Sequence, residues 1–312
     1  MKLPTSGAPT AVLSKDLRLR MRGWRWAGVA TMYVGILACV SLAFLLQKYA
    51  PSSNQSAREG IDLFQALSIC QLLLIVFVTP ATLAGAISGE RQHRTWDLLV
   101  ASRAHAVDIV WGKLLAGIAF NAVLLAASVP LFGLIFLFGG IVPTDVIPAF
   151  LVFLVTMLLL GATSLMVSAL TARLTVSFML SLLIALMLAV GLSILTLFLQ
   201  SPGQPDVLTL GGVPFQSAAQ PSSLTPLAQL DPLVALLSAL PAQSGGSLLG
   251  GLGTINRAFG LPWQLPLWGA YSLLMGVIAL LLVIATTRLV RSPRALRTRG
   301  AELPWHAARE PQ

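Results

Sequence analysis

The sequence predicts an all-α, polytopic membrane protein with six transmembrane helices, and three observations predict it. Six apolar stretches are each long enough to cross a hydrocarbon core, which takes about 20 helical residues. No charged residue sits near the middle of any of them. Threaded alternately through a bilayer, they leave nearly all lysines and arginines on one side. Composition agrees: soluble domains carry roughly 25 % charged residues, whereas this 312-residue chain carries 10 % against 56 % hydrophobic, with a mean hydropathy of +0.84.

The first element is an N-terminal region, 1–25, whose "SKDLRLRMRGWRW" predicts an amphipathic surface helix. Ser14 can cap it; Leu13, Leu17, Met21 and Trp24 fall on one face, while Lys15, Arg18, Arg22 and Arg25 face anionic head groups. Its basic stretch and long following apolar run do not match a cleaved signal peptide. The spans follow at roughly 26–47, 64–87, 109–138, 148–171, 175–199 and 266–287. Their Leu, Ile, Val and Phe each favour insertion by about 0.3–0.6 kcal/mol, against a cost of about 2.5–3.5 for a central charge. Pro80 and Pro130 are expected to kink the second and third spans. Gly161, Ala162, Ser164 and Ser168 give the fourth a face that permits close helix approach. "TARLT" is short enough to force the fourth and fifth into an antiparallel hairpin.

Orientation follows from charge. With both termini in the cytoplasm, only Lys48, Arg58 and Arg257 of the 20 lysines and arginines lie outside. The net charge of +9 is thereby a topology signal, and no basic stripe with interleaved aromatics suggests nucleic acid. The remaining pieces are an extracytoplasmic loop at 200–265, the sixth span at 266–287 and a cytoplasmic tail at 288–312. In the loop, "LDPLVALLSALP" (230–241) predicts a helix too short to span, packed re-entrantly or at the interface. "GGSLLGGLG" lacks the Gly-Lys-Ser/Thr ending that grips phosphate, and reads as a hinge.

What the spans lack excludes several functions. Ion-driven carriers need titratable groups at depth, and the middle third of every span has none. Asn121 is the most polar side chain well inside, and an interhelical hydrogen bond accounts for it. Cys39 and Cys70 sit singly in apolar runs as small packing residues. His93, His105 and His306 stand apart from Cys or Glu at ligand spacing, so no metal is expected. An intramembrane hydrolase needs a buried partner for its serine, and none is present. No catalytic or cofactor-binding residue is expected in this chain.

If the protein moves something uphill, the energy must arrive from outside the spans, and the cytoplasmic surface is the place to look. The largest feature there is "GERQHRTWDLLVASRAHAVDIVWGK", 89–113, within the segment 88–108 that joins the second and third spans. Thr95 is a good N-cap and Asp97 suits the first turn of a helix. Trp96, Leu99, Val100 and Arg103 then share a face. Asp108 opens the third span, and Lys113, one turn in, is expected to snorkel back to the interface. A solvated, membrane-hugging connector is one reading. A docking helix with apolar knobs and a charged rim is the other.

"PATLAGAISGERQHRTWDLLVASRAHAVDIVWGKLLAG" (80–117) closely resembles the signature of ABC-2 type transporter permeases. Pro80, Gly89, Glu90, Arg91, Thr95, Asp97, Leu98, Leu99, Asp108, Gly112 and Lys113 occur in the family's order. The branch with permeases for multicopper-enzyme maturation and for sodium or drug export is most similar. "LDPLVALLSAL" resembles the family's Asn-Pro-Leu element, with Asp231 for Asn. Ser102 stands where a proline is common.

The resemblance implies a six-span permease that pairs with a second copy or homologue in a bacterial inner membrane. It implies docking of an ABC ATPase subunit through Glu90, Arg91, Arg94, Thr95, Trp96, Asp97, Leu98, Leu99 and Arg103. Asp108, Gly112 and Lys113 would form the entry to span three. ATP and Mg would be bound by the partner, and export is the expected direction. The rivals are a non-transporting anchor or relay in an assembly complex and a secondary carrier.

Overall fold

The structure, a computed structural model, describes residues 24–47, 56–92, 106–138, 141, 143–199, 230–239 and 267–291. Ten helices are named here: α1 (Trp24–Gln47), α2 (Ser56–Leu83), α3 (Ser88–Gln92), α4 (Ala106–Gly133), α5 (Ile135–Phe138), α6 (Pro143–Leu170), α7 (Leu174–Leu186), α8 (Leu192–Leu199), α9 (Pro232–Ser238) and α10 (Leu267–Arg291). No strand occurs among the described residues. Six helical stretches are long and apolar enough to cross a membrane: Ala27–Leu46, Gly60–Gln92, Val107–Gly133, Val146–Leu170, Leu174–Thr196 and Leu267–Val290. These match the six expected from hydropathy, and the protein is an all-α, multi-pass membrane protein. Most of the N-terminal surface helix expected before residue 24 lies outside the described residues.

Two spans break near a proline. α2 runs through Pro80, ends at Leu83, and passes through a turn at 84–87 before α3. Within that turn the Ala86 N–H bonds back to Leu83 O at 3.0 Å, a tighter pitch than the α-helix. α4 likewise runs through Pro130 and gives way at Leu134, whose N–H reaches Leu131 O at 3.2 Å. Both breaks fall about one turn after the proline, whereas a proline's missing bond and clash lie on its N-terminal side. α6 starts on Pro143, where a missing N–H costs nothing. A π-helical turn, Met187–Gly191, separates α7 from α8 inside the fifth span; neither proline nor charge marks it in the sequence.

α2 lies at the centre, packed on α1, α4, α6 and α7, while α6 makes its most extensive packing with α10. Leu83 explains how closely α2, α4 and α6 come together. A Cβ placed on Gly117 would collide with its side chain, and one on Gly161 would lie 3.0 Å from Leu83 Cδ1. Gly161, Ala162, Ser164 and Ser168 are all buried, so the small face of α6 does admit a neighbour. At the opposite end of α2, Phe64, Phe132, Phe150 and Phe153 form successive edge-to-face contacts, with centroids 5.8, 5.4 and 5.8 Å apart. By contrast α7, the π-turn and α8 expose Phe178, Met179, Leu183, Met187 and Ile194. Against lipid tails this exposure carries no hydrophobic penalty.

Candidate functional site

Sequence analysis singled out the segment between the second and third spans, and the structure describes both of its roots. Arg94, Thr95, Trp96, Asp97, Leu98, Leu99 and Arg103 lie outside the described residues. Glu90 and Arg91 are on α3; Asp108, Gly112 and Lys113 are on the first turns of α4, with Gly112 and Lys113 buried and Asp108 partly so.

Lys113 departs from expectation. Its ammonium does not snorkel outward. It donates to Glu90 Oε1 and to Ala86 O, each at 2.7 Å, and its side chain is 5 % exposed against 28 % for Glu90. The turn at 84–87 places the Ala86 carbonyl within reach of the ammonium, and α3 beyond it sets Glu90 against α4. A carboxylate and a carbonyl are better partners for a desolvated ammonium than a long reach to water.

The residues next to Glu90 behave alike. Arg91 Nη1 donates to Ala169 O at 2.8 Å, satisfying a carbonyl in the last turn of α6, where the helix dipole favours a cation. Gln92 Oε1 accepts from Leu174 N at 3.2 Å. This supplies the first residue of α7 with the acceptor that its own N-cap position, Arg173, does not provide. Three consecutive side chains thereby fasten α3 to three different spans.

The spans reciprocate. Ser168 Oγ on α6 accepts from Ile87 N and Ser88 N at 3.0 and 2.9 Å, capping α3 from outside. Ser177 Oγ on α7 donates to Ala84 O at 2.6 Å. Beside this junction an open groove of about 500 Å³ is lined by Ala81, Thr82, Gly85, Ala86, Leu174 and Phe178. Sequence reasoning marked Ser168 only as a small residue and passed over Gln92 and Ser177. Their partners lie about 80 or more positions away in the chain, and no local pattern signals them.

Deeper in the bundle, Asn121 Nδ2 donates to Thr82 Oγ1 at 3.1 Å, the interhelical bond expected for it. Gln71, equally polar and not singled out in the sequence, is fully buried in α2 and donates to the Tyr33 hydroxyl of α1. Cys39 is exposed on α1, not packed as expected; Cys70 is half-buried, and both are free thiols. Among the described residues no three His, Cys, Asp or Glu side chains gather as a metal site would require.

A family model described as ABC-2 family transporter protein matches residues 10–292. The chain belongs to the ABC-2 transporter family. No curated protein matches it. The match takes in all six spans of this ABC-2 protein, the α3 junction and the short helix α9.

That short helix forms a second polar centre, remote from the first. α9 is bounded as the apolar run at 230–241 predicts, and it packs on α10, α6 and α2. Asp231, completely buried, caps it by accepting from Leu233 N at 2.9 Å. The carboxyl also meets Ser193 Oγ at 2.9 Å and Thr196 Oγ1 at 3.4 Å, on α8 just past the π-turn. Each hydroxyl carries one hydrogen, and each also lies 2.8 Å from a carbonyl of its own helix. Burial raises the Asp231 carboxyl above the usual carboxylate range, opposed by these hydrogen bonds and those of the α9 backbone.

Proposed function

We propose that this ABC-2 protein is the permease subunit of an ATP-driven exporter, with both termini and the 88–108 segment in the cytoplasm of a bacterial inner membrane. The observation that carries the reading is the α3 junction. A segment bearing Trp96, Leu98 and Leu99 among charges is rooted in two spans at once, and its roots are tied to two more. A connector needs no such fastening; a lever does.

A separate ABC ATPase subunit docks on the face formed by Arg94, Thr95, Trp96, Asp97, Leu98, Leu99 and Arg103. Apolar knobs inside a charged rim suit a small specific interface. ATP and Mg belong to that partner, and this chain performs no catalysis of its own. A second copy or homologue completes the membrane pathway, as the family's architecture implies. The lysine and arginine bias supports the orientation.

Docking is tested by tagging the chain and purifying it in mild detergent from its native membranes. An ATPase bearing a P-loop should accompany the wild type, and Leu99→Asp should reduce its recovery at least tenfold. Undiminished recovery with Leu99→Asp defeats the docking reading.

A further inference from the structure

The ABC-2 membership and the docking reading leave open how a push on the 93–105 segment reaches the bundle. That segment leaves α3 at Gln92 and enters α4 at Ala106. If only those covalent joints held it, a push would tilt one span against the other and be absorbed in sliding. The described residues show a different construction.

We propose that α3 is the transmission junction of this transporter, and that the Glu90–Lys113 ion pair is the positioning element that makes it rigid. The inference rests on the docking reading and goes beyond it, because it moves Glu90 from the surface that binds the ATPase to the joint that conveys its motion.

Three observations support this assignment. First, Glu90 and Lys113 bracket the segment, and their contact at 2.7 Å closes it into a loop whose two roots cannot separate independently. Second, the same five-residue helix holds the end of α6 through Arg91 and the start of α7 through Gln92. Ser168 and Ser177 return bonds from those two spans to the 84–88 backbone. The ends of spans two, three, four and five are consequently tied at one place. Third, the Lys113 ammonium is nearly removed from solvent, and in such surroundings an ion pair is directional and poorly screened. Screened surface pairs yield easily under load; this one is held from a second side by the Ala86 carbonyl.

A junction of this kind predicts a separable phenotype: the ATPase still docks, but its stroke is lost on the way across the bundle. The measurement is backbone hydrogen exchange in the intact, tagged complex, with and without ATP and vanadate, read on α9 and the first half of α10. Those elements lie far from α3. In the wild type, trapping with nucleotide should change exchange there.

Glu90→Gln and Lys113→Met should co-purify with the ATPase within twofold of wild type and retain ATP hydrolysis. Their nucleotide-dependent exchange change should fall at least fivefold. Lys113→Arg, which keeps the charge and two donors, should retain at least half of it; a merely structural lysine would show no such recovery of response. Should Lys113→Met fail to yield a monodisperse complex, Glu90→Gln decides alone, since its amide oxygen still accepts from Lys113.

A full response in a folded variant overturns the proposal, as does the absence of any response in the wild-type complex. Loss of co-purification in folded Glu90→Gln also overturns it, by returning Glu90 to the docking surface. Failure of the docking reading itself is distinguishable, because Leu99→Asp would then leave recovery of the ATPase unchanged.

Discussion

The Glu90 end and the Asp231 end of the bundle each bury a charged type of side chain, and they stabilise it by opposite means. At the Glu90 end the Lys113 side chain is held by the Glu90 carboxyl and a backbone carbonyl. At the Asp231 end the described neighbours are hydroxyls, backbone N–H groups and the Tyr271 ring system. No cation stands against the carboxyl there among the described residues, and burial favours its neutral form. Ser193 and Thr196 each have a backbone carbonyl as a second acceptor for their single proton, so a protonated Asp231 can donate its one hydrogen to one of these hydroxyls. One end is an electrostatic joint that spans four helices. The other is a hydrogen-bonded latch that ties α9 to α8. The lesson is that the partner within reach decides how a buried polar group is held: an opposite charge at one end, hydroxyls and backbone N–H groups at the other.

The largest effect that would break this contrast is Glu90→Ala. It strands the Lys113 ammonium, and losing one member of a buried pair costs about 3–5 kcal/mol. Glu90 is partly exposed, so the lower figure is expected. Lys113→Met should cost less, because the stranded carboxylate can reach solvent. Thermal unfolding in detergent measures both; equal losses would mean that the pair is not asymmetrically desolvated.

Asp231→Asn sharpens the other side. A carboxyl whose folded pKa lies above its unfolded value favours the folded state while protonated. That contribution is complete below the unfolded pKa and is lost as pH rises through the raised one. Relative to Asp231→Asn, the wild type should therefore lose unfolding temperature as pH rises from 4 to neutral, and Asp231→Asn should be the more stable protein at neutral pH. Asparagine keeps an acceptor for the Leu233 N–H and cannot ionise. A wild-type curve that rises with pH relative to that of Asp231→Asn over this interval would show a charged, compensated carboxylate instead.

The smallest effect belongs between the two ends. Asn121→Ala removes a neutral interhelical bond to Thr82, worth about 0.6 kcal/mol in membrane helices. A change above about 2 kcal/mol would mean that this bond belongs to the junction one turn away and not to ordinary bundle packing.

Much of this architecture is local and could be read residue by residue. Insertion of a span depends on the summed transfer energies of its own side chains, so hydropathy located all six within a few residues of where the helices lie. The 171–173 hairpin followed from the shortness of its linker, and α9 from the apolar run at 230–241. The π-turn at 187–191 was not legible, since its residues have the same composition as the helices beside it. Lys113 was misread because its sequence neighbours place it near an interface where snorkelling is the local option. The alternative partner, Glu90, comes within reach only once the turn at 84–87 has redirected the chain. Ser168, Gln92 and Ser177 were invisible as junction residues for a related reason. A serine in a span signals only that a hydrogen bond is available, usually to its own helix.

By itself the sequence determined that the chain is a six-helix membrane protein, where its spans fall and where its charges concentrate, because partitioning between water and lipid acts on each segment separately. The tertiary structure decided which of those charges meet. Hydrogen bonds and ion pairs depend on distance and direction between groups about 80 residues apart in the chain, and those quantities exist only after the helices have packed.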